Sequence, residues 1–124
     1  MGEKHRGEVR VLSQLEGEGL TELLTVCGLD ELPVGAVRGV EHEGRRIMVV
    51  NYEGRIYAME GTCTHEEADL SMGFLLENRI MCPLHFSQFD VTTGEALNPP
   101  ATLPLRMFNV QIQGAGIYVE VPEP

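Results

Sequence analysis

The chain has few cysteines, few basic residues and no long apolar run near its start. It contains three cysteines, an odd and low number that disfavours a disulfide-stabilised extracellular fold. Lys and Arg number 9 against 19 Asp and Glu, which gives a formal net charge of −10 at pH 7, so nucleic acid is not an expected partner. The first twenty residues hold no apolar stretch long enough for a signal peptide or a membrane-spanning helix. We therefore predict a cytoplasmic protein with no membrane partner.

Internal repeats and low-complexity segments are also absent from the sequence. A chain of 124 residues is long enough for one domain with a moderate core that needs no disulfides. Its first twenty residues are rich in Glu and Gly. We predict an N-terminal extension at residues 1–20 and a single domain at residues 21–124.

Two of the three cysteines lie in short segments that each also contain a histidine. The first segment is Cys63-Thr64-His65 and the second is Cys82-Pro83-Leu84-His85, with sixteen residues between them. A zinc finger usually takes two cysteines from one segment and two histidines from the other. Mixed segments instead suit a cluster of two unlike irons, with both thiolates on one iron and both imidazoles on the other.

Two other uses of these four residues stay open at this point. Two Cys and two His can form a structural zinc site. A catalytic Cys–His nucleophile pair is a further possibility, but it would leave one Cys and one His without a role. The mixed segments favour the iron cluster over both.

The pattern C-x-H, sixteen residues, C-x-x-H resembles that of the Rieske [2Fe–2S] proteins. The sequences of residues 68–75 and 82–97 are similar to those of the small soluble ferredoxins that serve aromatic-ring dioxygenases. The resemblance covers roughly residues 23–121. It implies one Rieske-type [2Fe–2S] cluster per chain, bound by four residues. In that arrangement the inner iron is held by Cys63 and Cys82, and the outer iron, nearest solvent, by His65 and His85.

The resemblance also indicates what sets the potential of the cluster. High-potential members carry a disulfide between the cluster loops, and the corresponding positions here are Ala68 and Leu84. They also use a Tyr and a Ser hydroxyl as donors to the cluster, at positions that are Phe89 and Ser87 here. Ring-dioxygenase ferredoxins usually carry Gly at the second of these. We expect a low potential, raised somewhat if Ser87 donates to the cluster, although Ser87 could instead satisfy only the local backbone.

Short runs of Val, Ile, Phe and Tyr separated by Gly-containing turns predict an all-β fold. With the resemblance, this predicts a Rieske-type antiparallel β-sandwich with a small cluster-binding subdomain formed by the two ligand loops. The predicted strands are residues 36–42, 45–51, 55–60, 74–76, 79–81, 87–91, 95–97, 106–113 and 117–121. The turns at Glu43-Gly44 and Glu53-Gly54 predict that the first three form a meander, with Ile47 and Val49 among the residues on its buried faces.

Several individual residues carry weaker predictions. Cys27 lies on a predicted strand ending at Gly28 and is expected to be a small buried apolar residue. His42 borders a hairpin turn and is expected to be exposed. Residues 98–102 resemble the proline loop that covers the cluster in the Rieske family.

By the resemblance, the chain is a soluble one-electron carrier. It takes electrons from a flavin-containing, NADH-dependent reductase and passes them to a terminal oxygenase, docking transiently with each as a monomer. The acidic excess suits such docking, and Glu66, Glu67 and Asp69 either frame the docking surface or form a solvated loop. The alternatives are a Rieske-type small subunit of a nitrite reductase and an accessory electron donor of a multicomponent monooxygenase.

An oxygenase would need a second iron site made of two His and a carboxylate. Outside the two segments the sequence has only His5 and His42, far apart, and no flavin or nicotinamide motif. About forty residues follow the second segment, too few for an added catalytic domain. We therefore expect no catalytic residues and no enzyme activity of the chain by itself.

Overall fold

The computed structural model describes residues 5–6, 9–15, 19–65 and 67–122. Apart from two short helical turns its regular secondary structure is all β, which confirms the predicted fold class. None of the helical segments in the described ranges is long and apolar enough to cross a membrane. Two short 3-10 turns occur at Leu29–Glu31 and Leu70–Met72. The strands are β1 (His5–Arg6), β2 (Val9–Leu15), β3 (Gly19–Gly28), β4 (Val37–His42), β5 (Arg45–Tyr52), β6 (Arg55–Glu60), β7 (Phe74–Leu76), β8 (Arg79–Met81), β9 (Gln88–Asp90), β10 (Met107–Phe108), β11 (Val110–Gln113) and β12 (Gly116–Pro122).

Two larger sheets and one small sheet make up the architecture. The first sheet has the order β1-β4-β5-β6-β10, the second β11-β12-β3-β2 and the small one β7-β8-β9. Within the described ranges every strand pair is antiparallel except β1 with β4. The predicted antiparallel sandwich with a small added subdomain is therefore confirmed.

The tight hairpins of the first sheet follow from two Glu-Gly pairs in the sequence. Glu43-Gly44 joins β4 to β5 with φ angles of 52° and 79°, and Glu53-Gly54 joins β5 to β6 with 55° and 88°. Positive φ at both central residues is typical of the two-residue turn whose twist matches that of paired antiparallel strands. The two turns thus fix the register of the β4–β5–β6 meander.

Strand β5 is buried on both of its faces. Ile47 and Val49 pack into the core between the two larger sheets, as expected from the sequence, with Val40, Ala58 and Ile117 among their neighbours. Met48 and Val50, which alternate with them, pack into a second core below the small sheet. The first sheet is therefore a central layer, and the small sheet lies on the face that a two-layer sandwich would leave to solvent.

The predicted single strand at residues 106–113 is wrong. The chain leaves the first sheet after β10, where Phe108 pairs with Ala58, and enters the second sheet at β11, where Val110 pairs with Val119. Asn109, at the junction, belongs to neither strand. When a strand changes sheets, residues that alternate in the sequence no longer face the same core, and Ile112 is accordingly exposed.

The predicted strand at residues 95–97 is also not formed as a strand. These residues make only one isolated bridge, between Phe89 and Ala96.

The N-terminal residues contribute backbone pairing to the second sheet. Strand β2 pairs with β3 over Val9–Leu15, with one irregularity between Val11 and Ser13. Part of the predicted extension is thus an edge strand of the sandwich, although the domain boundary after residue 20 stays a prediction.

Candidate functional site

The small sheet places the two predicted ligand loops side by side. The first loop, residues 61–73, runs from the end of β6 to the start of β7, and the second, residues 82–87, joins β8 to β9. Because β8 is the middle strand, pairing with β7 and β9, the last residue of the first loop and both ends of the second loop adjoin the same three-stranded unit. Gly73 is required where the first loop reaches this sheet, since a Cβ atom there would overlap the carbonyl oxygen of Met81.

The first loop is closed by backbone hydrogen bonds around Cys63. The Cys63 amide donates to the Ala68 carbonyl at 3.0 Å, and the Leu70 amide donates to the Gly61 carbonyl at 2.8 Å. The Asp69 carboxylate accepts from the amide and the hydroxyl of Ser71, at 3.0 and 2.6 Å. This carboxylate therefore stabilises the loop, a role that neither of the two sequence predictions for Asp69, docking surface or solvated loop, included.

The second loop is a tight turn that directs its histidine outward. The Cys82 amide donates to the Ser87 carbonyl at 2.8 Å, and the Phe86 amide donates to the Cys82 carbonyl at 3.1 Å. Phe86 has a φ of 62°, in the left-handed region that non-glycine residues seldom adopt. The turn reverses the chain directly after His85.

The four predicted ligand residues come together as an inner and an outer pair. Both cysteines belong to the same buried core, with Cys63 4% and Cys82 0% exposed. His65 and His85 are both exposed, and their ring centroids lie 5.6 Å apart at an interplanar angle of 71°. Buried thiols below paired imidazoles match the chemistry of a two-iron cluster with unlike irons.

Ser87 tests whether the site fits such a cluster. Its side chain is 0% exposed, and its hydroxyl oxygen accepts from the Ala101 amide at 3.1 Å. A hydroxyl also carries one donor hydrogen, and a buried donor normally has a partner. No protein acceptor for this hydrogen is found among the described residues, so a cluster sulfur is a suitable acceptor, and the donor set fits the cofactor. Phe89, by contrast, is wholly buried and has no hydroxyl to offer.

A third segment, residues 97–103, is hydrogen-bonded to both ligand loops. Thr64, which lies between two predicted ligands, donates from its hydroxyl to the Leu103 carbonyl at 2.7 Å. The Leu97 amide donates to the Gln88 carbonyl at 2.8 Å, beside the second loop. Sequence reasoning placed the proline-containing residues 98–102 over the site but missed these contacts, because an isolated Thr or Asn gives no sequence signal of a distant partner.

The surface of the subdomain is unusually apolar for so acidic a protein. Seven of the ten large apolar side chains that are exposed in the described residues fall between residues 72 and 103. They are Met72, Phe74, Leu76, Leu84, Phe86, Leu97 and Leu103. Glu67 is also exposed, while Glu66 lies outside the described residues. Large apolar side chains left exposed in one region of the chain are often found where proteins contact partners.

Two residues outside the site differ from or refine their predictions. His42 was expected to be exposed, but its side chain is only 10% accessible because its Nε2 contacts a carboxylate oxygen of Glu22 at 2.7 Å. The contact joins β3 to β4 across the sandwich. Cys27 lies on β3, which ends at Gly28 as predicted, and is half-buried. Burial raises the pKa of its thiol.

Comparisons with known proteins agree with this geometry. Residues 22–109 match the family model described as the Rieske [2Fe–2S] domain. The chain is 42% identical over 98 residues to the ferredoxin component of a naphthalene 1,2-dioxygenase system from Pseudomonas aeruginosa, covering 79% of this chain and 94% of that protein.

Two solved structures extend the comparison. A chain from the complex of reduced oxygenase and oxidised ferredoxin in carbazole 1,9a-dioxygenase is 35% identical, with a TM-score of 0.78 and coverage of 82% of this chain and 95% of that one. A chain described as the small subunit of an NADPH nitrite reductase is 20% identical, with a TM-score of 0.63 over 78% of this chain and 96% of that one. The second likeness shows the fold alone.

The matched family has the fold that the structure shows and the cofactor type that the four Cys and His residues suit. The relatives are ferredoxin components, which transfer electrons and are not themselves catalytic. The chain belongs to the Rieske [2Fe–2S] family.

Proposed function

We propose that this chain is a soluble, cytoplasmic one-electron carrier whose single Rieske [2Fe–2S] cluster is held by two thiolates and two imidazoles. Cys63 and Cys82 bind the buried iron, and His65 and His85 bind the outer one. When bound, the cluster supplies one-electron redox chemistry. The observation that carries the proposal is the exposed histidine pair, 5.6 Å apart, next to two buried cysteines.

The outer histidines form the edge through which electrons enter and leave. Leu84 and Phe86 flank His85 in sequence and are 57% and 58% exposed, and Leu103 is 63% exposed on the segment bonded to Thr64. Such an apolar rim can exclude water around the imidazoles in a short-lived complex. The net charge of −10 adds attraction toward electropositive partners.

The proposed partners are a flavin-containing, NADH-dependent reductase as donor and a terminal oxygenase as acceptor. The printed names of the relatives support this, since they are ferredoxin components of dioxygenase systems and one was solved with its oxygenase. A monomer suits the role because each partner must reach the same histidine edge in turn. We expect electron transfer to slow as salt is raised, and a rate independent of ionic strength would exclude electrostatic steering.

The residues near the site suit a potential in the lower part of the Rieske range. Ala68 and Leu84 cannot form the disulfide of high-potential members, and Phe89 supplies no hydroxyl. Ser87 is the one hydroxyl donor of that set, and it raises the potential because a hydrogen bond to the cluster stabilises its more negative, reduced form. Such a hydrogen bond to a charged acceptor contributes about 1.5–3 kcal/mol.

Two alternatives share the same site chemistry. One is the small subunit of a nitrite reductase, which the 20% identical neighbour supports only at the level of fold. The other is an accessory electron donor to a multicomponent monooxygenase. The ferredoxin relatives, at up to 42% identity, favour the first proposal. Stable co-purification with a large reductase would instead support the nitrite reductase subunit.

The test is anaerobic reconstitution with ferrous salt and sulfide, followed by EPR of the dithionite-reduced protein. We expect a coloured protein with the anisotropic Rieske signal and one cluster per chain. The variants Cys82→Ser and His85→Ala should lose it, while His42→Gln, which alters a histidine away from the site, should retain it. Colourless protein that binds one zinc ion through the same four residues would contradict the proposal.

A further inference from the structure

Asn98 lies outside both ligand loops but binds the backbone on either side of Ser87. Its Oδ1 accepts from the Gln88 amide at 2.6 Å, and its Nδ2 donates to the Phe86 carbonyl at 3.4 Å. One side-chain amide therefore holds the peptide group before Ser87 and the one after it. The Asn side-chain amide carries both an acceptor and a donor on one planar group, and Gln, which has the same group, is a methylene longer.

The orientation of the Ser87 hydroxyl depends on this stretch of backbone. Its oxygen accepts from the Ala101 amide at 3.1 Å, and its own carbonyl accepts from the Cys82 amide at 2.8 Å. These two contacts leave the hydroxyl hydrogen as the one group of Ser87 still to be placed. The backbone of residues 86–88 sets the position of the hydroxyl oxygen and therefore the direction in which this hydrogen can be donated. Because the side chain is 0% exposed, bulk water cannot serve as an alternative partner.

The neighbouring residue makes the backbone there easy to disturb. Phe86 has a φ of 62°, a conformation that costs energy for a residue with a Cβ and persists only where surrounding contacts hold it. The Phe86 ring is 58% exposed, so core packing supplies little of that restraint. The hydrogen bond from Asn98 to the Phe86 carbonyl is one of the contacts that do.

We propose that Asn98 is a positioning residue that aims the Ser87 hydroxyl into the site and, through it, raises the potential of the cluster. The inference rests on the proposed function, because it requires the cluster that Cys63, His65, Cys82 and His85 are proposed to bind. Its physical basis is that a donor hydrogen bond stabilises the reduced cluster only while donor and sulfur stay aligned. Loss of Asn98 frees the peptides around Ser87 and weakens that alignment.

The test is a double-mutant cycle on the midpoint potential of the reconstituted protein, measured by redox titration with EPR detection. The four proteins are the wild type, Asn98→Ala, Ser87→Ala and the double variant. We expect Asn98→Ala to lower the potential in the same direction as Ser87→Ala and by less. In the Ser87→Ala background the Asn98→Ala change should have no further effect.

Two further variants sharpen the cycle. Asn98→Gln keeps both the acceptor and the donor without adding charge but displaces them by one methylene, so a smaller fall in potential than in Asn98→Ala is expected. Asn109→Ala removes an exposed asparagine at the β10–β11 junction and should leave the potential unchanged. If Asn98→Ala fails to retain its cluster, the uncharged variant Asn98→Gln replaces it in the cycle and the same non-additivity is expected.

The outcomes separate this inference from the proposed function. A wild-type protein without a Rieske EPR signal would overturn both. A full complement of cluster with an unchanged potential in Asn98→Ala would overturn only the role of Asn98. Equal falls in potential with and without the Ser87 hydroxyl would also overturn it, because Asn98 would then act by a route other than Ser87.

Discussion

The scaffold and the cluster-binding subdomain are held together in different ways. The main scaffold strands β3, β4, β5, β6 and β12 are six to ten residues long, whereas each strand of the small sheet has three. Long paired strands supply continuous backbone hydrogen bonds and alternating apolar rows. The subdomain instead relies on a few loop hydrogen bonds, several of them from side chains to distant backbone groups. The long strand pairs therefore contribute most of the backbone hydrogen bonds that stabilise the fold. The loop hydrogen bonds instead fix the positions of the predicted ligand residues.

The two regions also differ in what they do with apolar side chains. Outside the subdomain only three large apolar side chains in the described residues are exposed, namely Leu29, Val34 and Ile112, against seven between residues 72 and 103. A scaffold gains stability by burying such groups, while a surface that docks with partners must leave some of them accessible. The contrast agrees with the docking role proposed for the small region, in which exposed apolar groups are kept at some cost to its own stability.

Among the substitutions considered, Gly73→Ala is expected to destabilise the cluster-binding subdomain most while leaving the scaffold intact. The added methyl would overlap the Met81 carbonyl, so β7 could not stay paired with β8 without moving. We expect a destabilisation of about 4 kcal/mol or more and loss of the cluster, measured by chemical unfolding and visible absorption. Gly35→Ala is the scaffold control, since no atom lies near its Cβ, and it should cost only about 1–2 kcal/mol for its positive φ. A stable, fully loaded Gly73→Ala protein would contradict the close approach seen here.

A matched pair of isoleucines compares the two cores directly. Ile47, between the large sheets, and Ile80, in the small sheet, are both 0% exposed. Each change to Ala should lower the free energy of unfolding by about 2–5 kcal/mol. Only Ile80→Ala should also speed release of iron to a chelator, because Ile80 shares a core with Cys63 and Cys82. Equal release rates from the two variants would show that the regions are not energetically distinct.

Thr64→Val removes one contact between the first loop and residues 97–103. The hydroxyl that bonds the Leu103 carbonyl is lost while the side-chain shape is kept, so we expect a loss of about 0.5–1.5 kcal/mol. The EPR line shape should broaden because His65, the next residue, becomes less well fixed. Thr64→Ser restores the hydroxyl and should recover the wild-type signal. A wild-type EPR signal in Thr64→Val would show that the hydroxyl does not hold the first loop.

The smallest expected effect concerns Cys27 on the scaffold. Burial raises the pKa of its thiol above the ordinary value, so less reactive thiolate is present at neutral pH. Alkylation of Cys27 by iodoacetamide in the loaded protein should be slow at pH 7 and accelerate only in alkaline solution. Mass spectrometry of the modified peptide provides the measurement, with a free thiol peptide of ordinary pKa as the reference. Rapid labelling at pH 7 would contradict the raised pKa.

Much of the scaffold was predictable because its rules are local. The Glu-Gly turns at 43–44 and 53–54 and the alternation of Ile47 and Val49 predicted the β4–β5–β6 meander, and the structure confirms it. Burial of Met48 and Val50 was not predictable from alternation, which describes one buried face and not two. It required the small sheet, whose position depends on contacts between residues far apart in the chain.

The candidate site was predictable in composition but not in its supporting contacts. The two mixed Cys–His segments and their flanking residues indicated the cluster type, and the family match agrees. The bonds from Thr64 to Leu103 and from Asn98 to the backbone around Ser87 span 39 and about a dozen residues of sequence, respectively, and leave no periodic signal. The burial of His42 against Glu22 was missed for the same reason.

By itself the sequence determined the β class, the main turns and the four side chains suited to an iron–sulfur centre, because each of these depends on residue chemistry at short spacing. Only the tertiary structure decided that the chain changes sheets at Asn109, that β5 is buried on both faces and that residues 97–103 hold the two ligand loops. These features arise where distant segments meet, and the free energy of such contacts depends on a geometry that no single stretch of sequence encodes.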